Sequence, residues 1–137
     1  MSRIFYMFIF LFLAACSSTA PHQSLKNTYW SLVELNGEES TNADHQPEVH
    51  LVFHINDRSL HGSDGCNSFK ANYTKDKESF SFTKIVSTRL SCEEGMQQAH
   101  SFLEALEKTD SLYIYENDML LYHEQVEIAR FEAKEDY

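Results

Sequence analysis

The chain has 137 residues, with 21 Asp and Glu against 11 Lys and Arg, a formal net charge of −10 and three cysteines. That length suits one domain and leaves no room for two. No run of Lys and Arg occurs, and so acidic a chain is repelled by phosphate backbones and anionic headgroups, which excludes nucleic acid as a partner.

In chain order, the first segment is an address. Arg3 gives a small positive start, and Ile4 to Ala15 then runs without charge. About a dozen apolar residues is too short for a membrane-spanning helix, which needs roughly 20, but it has the length and flanks of a secretory signal core. Leu13-Ala14-Ala15-Cys16 closes it. This resembles the lipobox of bacterial lipoproteins, which implies a signal peptide over 1–15, diacylglyceryl transfer to the Cys16 thiol, and a membrane partner reached through that anchor. Ser17 resembles the outer-membrane sorting pattern, so the implied location is the periplasmic face of the outer membrane. Residues 16–24, rich in Ser with Thr, Pro and Gln, have the composition of a flexible tether, leaving 25–134 as the folded domain.

From Asn27 short runs of strand character begin. Thr28 to Leu35 is rich in β-formers and stops at Asn36-Gly37, a strong turn signal, after which Glu38 to Pro47 is a polar loop. Glu48 to Ile55 alternates, with Val49, Leu51, Phe53 and Ile55 on one face and His50 and His54 on the other. Asn56-Asp57 predicts a hairpin that brings His61 back onto that outward face. Gly62 to Asn67 is a tight polar corner. Phe69 and Tyr73 lie on the next strand, and Phe80 and Phe82 alternate with serines on another.

A helix is predicted over about 93–108. Ser91 has the character of an N-cap with Glu94 three residues on, and Glu93 adds negative charge at the positive end of the dipole. Met96, Ala99, Leu103 and Leu106 recur at helical spacing, with Phe102 widening the stripe. Leu112 to Tyr115, Met119 to Tyr122 and Val126 to Phe131 then form a meander. The connections are too short for crossover helices, so the pairing is antiparallel. The expected fold is α+β and mostly β, a curved antiparallel sheet or cracked barrel of about eight short strands with the helix packed on it.

If Cys16 is acylated, Cys66 and Cys92 remain as an even pair in an oxidising compartment, which favours a disulfide over two buried thiols. Three stretches, together with the closing Ala129-Arg130-Phe131, resemble the META-domain (HslJ-like heat-shock lipoprotein) family. They are Asn27-Thr28-Tyr29-Trp30-Ser31-Leu32, Gly65-Cys66-Asn67-Ser68-Phe69 with Tyr73, and Thr88-Arg89-Leu90-Ser91-Cys92. The resemblance implies a single β-rich domain, envelope-stress associations and no established catalytic activity. It gives Trp30, Gly65, Asn67, Phe69 and Thr88 structural roles.

Enzymatic chemistry finds little footing. No Gly-x-Ser-x-Gly turn is present, Gly62 to Gly65 lacks the Lys of a phosphate-binding loop, and Cys66 as a nucleophile would require a histidine base. No cofactor is expected. Two alternatives to a binding or scaffold module, with an unknown envelope partner, follow from the residues. His50, His54 and His61 on one sheet face are candidate zinc or copper ligands, though histidines at strand spacing are more commonly just polar residues of a solvated sheet face. The Tyr113/Tyr115 and Phe80/Phe82 pairs are candidates for a lipid or peptide groove of a pilot-type chaperone, though such alternation is more commonly core.

Overall fold

The computed structural model describes residues 22–134. The expected signal peptide and Cys16 lie outside the described residues. Nine strands and one helix follow in order: β1 Tyr29–Leu35, β2 Glu38–Glu39, β3 His50–Phe53, β4 Ser59–Ser63, β5 Ser68–Asp76, β6 Ser79–Ser87, α1 Met96–Lys108, β7 Ser111–Tyr115, β8 Asp118–His123 and β9 Val126–Lys134.

The named strands form one sheet in the order β6-β5-β4-β3-β1-β9-β8-β7, and β2 pairs off this path with β1. All the strand pairs are antiparallel, as the short connections dictate. The sheet curls into a half-barrel, and its two ends approach where the Phe80 N–H donates to the Asp110 carbonyl at 2.8 Å. The turn at Asn36-Gly37 closes a tighter hairpin than expected: Glu38 and Glu39, placed in a loop by their polarity, pair with Leu35 and Glu34.

Alternation decides which side chains fill the barrel. Inward residues of β3, β4 and β5 are Leu51, Phe53, Leu60, Phe69, Ala71 and Tyr73, all buried, as period two requires. Phe102 of α1 stands edge-on between Phe69 at 6.0 Å and Phe131 at 6.1 Å, tying the two halves of the sheet across the core. Each such fully buried aromatic contributes about 2–3 kcal/mol of transfer free energy. The buried helix face is Ala99, Phe102, Ala105 and Leu106; Leu103 is only partly buried against it.

The helix start differs from the sequence expectation. Gly95 is the N-cap, in the left-handed region at φ 76°, no side chain caps the helix, and the first helical residue is Met96. Ser91 and Glu94 therefore form no capping box. The reason is tertiary. Leu90 is hydrogen-bonded to Asn67 and Cys92 is bridged to Cys66, so the chain is pinned there and enters the helix only after Gly95, where glycine tolerates positive φ.

Residues 23–27, whose first two fall in the expected tether, are tied to one end of the barrel. The Gln23 N–H donates to the Glu116 carbonyl at 3.3 Å, and the indole N–H of fully buried Trp30 donates to the Leu25 carbonyl at 3.0 Å. The Lys26 ammonium donates to the carbonyls of Ile55 and Asp57, both at 3.2 Å.

Candidate functional site

The family-like residues assemble into a structural knot. Asp64, buried between β4 and β5, accepts the backbone N–H groups of Cys66 at 2.8 Å and Asn67 at 2.5 Å through one carboxylate oxygen. This Asx-type turn needs Gly65 at φ 94°, a conformation that strains any other residue. Asn67 then reaches across to the segment before the helix. Its Oδ1 accepts the Thr88 hydroxyl at 2.8 Å and the Leu90 N–H at 2.7 Å, and its Nδ2 donates to the Leu90 carbonyl at 3.3 Å. Cys66 is bridged to Cys92 beside it.

Asn67 therefore clamps a distant segment rather than its own turn. The turn belongs to Asp64, which the sequence reading did not single out; its position two residues ahead of Cys66 in a glycine corner was the available signal. Trp30 and Phe69 lie in the core.

The expected histidine face forms, but its members are not equivalent. Cross-strand register pairs His61 with Val52 and His50 with Ser63, which puts His50 and His61 on the outward side. His50 stacks on Tyr29 at 4.5 Å, and its Nδ1 donates to the Glu48 carbonyl at 2.9 Å. His54, in the β3–β4 loop, has its Nε2 2.9 Å from Nδ1 of His61 and its Nδ1 2.7 Å from the Ser59 hydroxyl. Among the described residues no group of three or more His, Cys, Asp or Glu side chains is arranged to hold a metal ion.

The proton positions follow from donor counting. Ser59 Oγ lies 2.5 Å from Asp57 Oδ1, a carboxylate that only accepts, so the one hydroxyl proton goes there. With both imidazoles neutral, His54 Nδ1 then donates to Ser59, its Nε2 accepts, and the proton between the imidazoles belongs to His61 Nδ1. The Ser59 bonds, from side chain and then backbone, hold the Asp57 carboxyl below its usual 3.8. Burial, then the neighbours His54, His50 and Lys70, push His61 below 6.5. The Ser59–His54 contact runs the wrong way for a nucleophile, because the imidazole donates to the hydroxyl and takes nothing from it.

A groove of about 560 Å³ lies over the outer face of β3–β6, with His50, His61, Ser63, Lys70, Val86 and Thr88 in its wall. Among the described residues no Asp or Glu lines it. The β6 contribution is apolar or hydroxylic, with Val86 70% exposed. Tyr113 and Tyr115 are also exposed, but Phe80 and Phe82 belong to the core, so the second aromatic pair lines no groove.

The family model described as META domain matches residues 23–136. None of the curated proteins matches the chain. A solved NMR structure of a protein from Burkholderia xenovorans superposes with a TM-score of 0.65 at 22% identity, covering 81% of this chain and 84% of that one. A second NMR structure gives 0.62 at 16% identity, covering 79% and 91%. At such identities the likeness is one of fold, but the family match spans nearly all the described residues: the chain belongs to the META-domain family.

Proposed function

We propose that this META-domain protein is an outer-membrane lipoprotein, anchored through acylated Cys16 at the periplasmic face, whose domain is a non-catalytic binding or scaffold module in envelope homeostasis or stress. One pairing carries the reading. Leu13-Ala14-Ala15-Cys16 closes a short apolar run, and the domain that follows contains a bridged Cys66–Cys92 pair, which persists in an oxidising compartment. Export and acylation account for both. Because residue 23 is already bonded to the barrel, the intervening residues reach at most about 20–25 Å, which would hold the domain close to the lipid surface.

A non-catalytic role is supported by the chemistry of the side chains. Cys66 sulfur is consumed in the bridge, and Ser59 gives its proton to Asp57 rather than to an imidazole. The metal reading through His50, His54 and His61 has less support, since the three do not converge on a common point. A pilot-type role would use the outer groove, because the barrel interior is filled by Trp30, Phe53, Phe69, Phe102 and Phe131.

Growth with radiolabelled palmitate, followed by membrane fractionation, tests the proposal. Label is expected in the outer-membrane fraction and is expected to disappear in Cys16→Ser. An uncleaved, unlabelled protein in the cytosol would overturn it.

A further inference from the structure

We propose that the groove over β3–β6 binds a small amphiphile with a single oxyanion head, a phosphate or carboxylate on an apolar stem. The inference gives the binding module a ligand class and so rests on that part of the proposed function; it does not depend on acylation.

Charge is the first ground. In a chain with 21 acidic residues against 11 basic ones, the groove wall carries the Lys70 ammonium, two imidazoles and several hydroxyls, and no carboxylate. Three other concavities among the described residues each hold a carboxylate. One is lined by Glu38 and Glu39, one by Asp57, and one by Glu78 together with Lys75 and Lys77. Here an anion meets cationic and hydroxyl donors with no facing carboxylate among the described residues.

Shape is the second ground. About 560 Å³ lies within the roughly 300–1,000 Å³ range of small-molecule sites and exceeds what a bare inorganic ion fills. Val86 on β6 and Pro47 on the opposite side offer apolar surface with no polar demand. A head at Lys70 and His61, with a stem along Val86, satisfies both kinds of wall.

The relay is the third. His61 Nδ1–H is committed to His54, whose other nitrogen is committed to Ser59 and through it to Asp57. Uptake of a proton by His61 must therefore occur at Nε2 and creates a new donor there. The titratable and charged groups around His61 are His50 and His54 from β3 and its loop, Lys70 from β5, and Asp57 behind Ser59; β6 contributes no ionisable residue to the groove wall. Burial and the Lys70 ammonium oppose protonation, and a bound anion offsets them. Binding and proton uptake are thus linked and must strengthen one another.

The test uses the full chain in nanodiscs of neutral lipid, with empty discs as blank, titrated calorimetrically with octyl phosphate, octanoate, inorganic phosphate and octyl glucoside. Both octyl anions are expected to bind, at least ten-fold tighter than inorganic phosphate or the neutral glucoside, and several-fold tighter at pH 5.5 than at pH 7.5. Lys70→Gln and Val86→Asp, both at exposed positions, are each expected to weaken binding about ten-fold with an unchanged melting temperature. The His61 ring proton is expected to titrate at higher pH when octyl phosphate is bound. Equal affinity for inorganic phosphate, equal affinity for the glucoside, or no heat above the blank would each overturn the proposal. Palmitate labelling of Cys16 would survive any of these results, which separates this failure from that of the anchoring proposal.

Discussion

Asn67 treats Leu90 as a neighbouring strand would. Its side-chain oxygen accepts the Leu90 N–H at 2.7 Å while its amide nitrogen donates to the Leu90 carbonyl at 3.3 Å, across 23 residues of chain. One side chain thereby satisfies both backbone groups of a residue outside any strand, and the Thr88 hydroxyl adds a third bond to the same oxygen.

Replacing Asn67 by Ala removes all three bonds and leaves partly buried backbone groups without partners, which costs about 2–4 kcal/mol. Urea denaturation should show this, while Thr88→Val, which removes one hydroxyl bond, should cost about 1 kcal/mol. An Asn67→Ala variant as stable as the parent would show that the clamp is dispensable.

The Cys66–Cys92 bridge closes a loop of sequence separation 26, for which the chain-entropy model gives about 3.5 kcal/mol. Reduction, or the double change Cys66→Ser with Cys92→Ser, should lower stability by about that amount. Thiol labelling of unfolded but unreduced protein should find neither sulfur. Two reactive sulfurs would mean that the pair is not bridged in the protein as made.

Gly62 is held by proximity rather than by φ. A Cβ there would lie 2.2 Å from the His50 carbonyl oxygen and 2.9 Å from the Phe69 ring. Backbone cannot yield as a flexible side chain can, so Gly62→Ala should cost about 3 kcal/mol in thermal or urea unfolding. Gly37→Ala meets no atom within 4 Å and suffers only from its positive φ, so a smaller loss, about 1 kcal/mol, is expected.

Acid should weaken the fold in two windows. His61 sits below 6.5 in the folded chain, so between its folded value and 6.5 the unfolded state holds more protons and stability falls as pH drops. Asp57 and Asp110 lie below 3.8, the latter chiefly through the Glu124 N–H and the Ser111 hydroxyl. Their contribution is present above 3.8 and lost as pH falls through their folded values. His61→Gln should flatten the first window and leave the second. An NMR titration in which His61 protonates above 6.5 in the unliganded protein would contradict this.

Much of the barrel was legible in the sequence because its signals are local. Alternation in Glu48 to Ile55 and around Phe80 and Phe82 exposes period two directly, and Asn36-Gly37 marks its turn by the φ its residues tolerate. Short connections then leave antiparallel pairing as the one choice. The family signature gave the positions of Trp30, Gly65, Asn67 and Thr88 but not their partners. Tertiary structure decided the rest. The helix begins at Met96 because the Asn67–Leu90 contact and the Cys66–Cys92 bridge pin the preceding segment, which overrides the local preference of Ser91 and Glu94 for a cap. Asn67 finds Leu90 and His54 finds His61 only once strand register has brought them together. The groove likewise depends on which outward residues of four strands fall side by side. Periodicity assigns a residue to a face, but only pairing across the sheet determines its neighbours, and the chemistry of a surface lies in those neighbours.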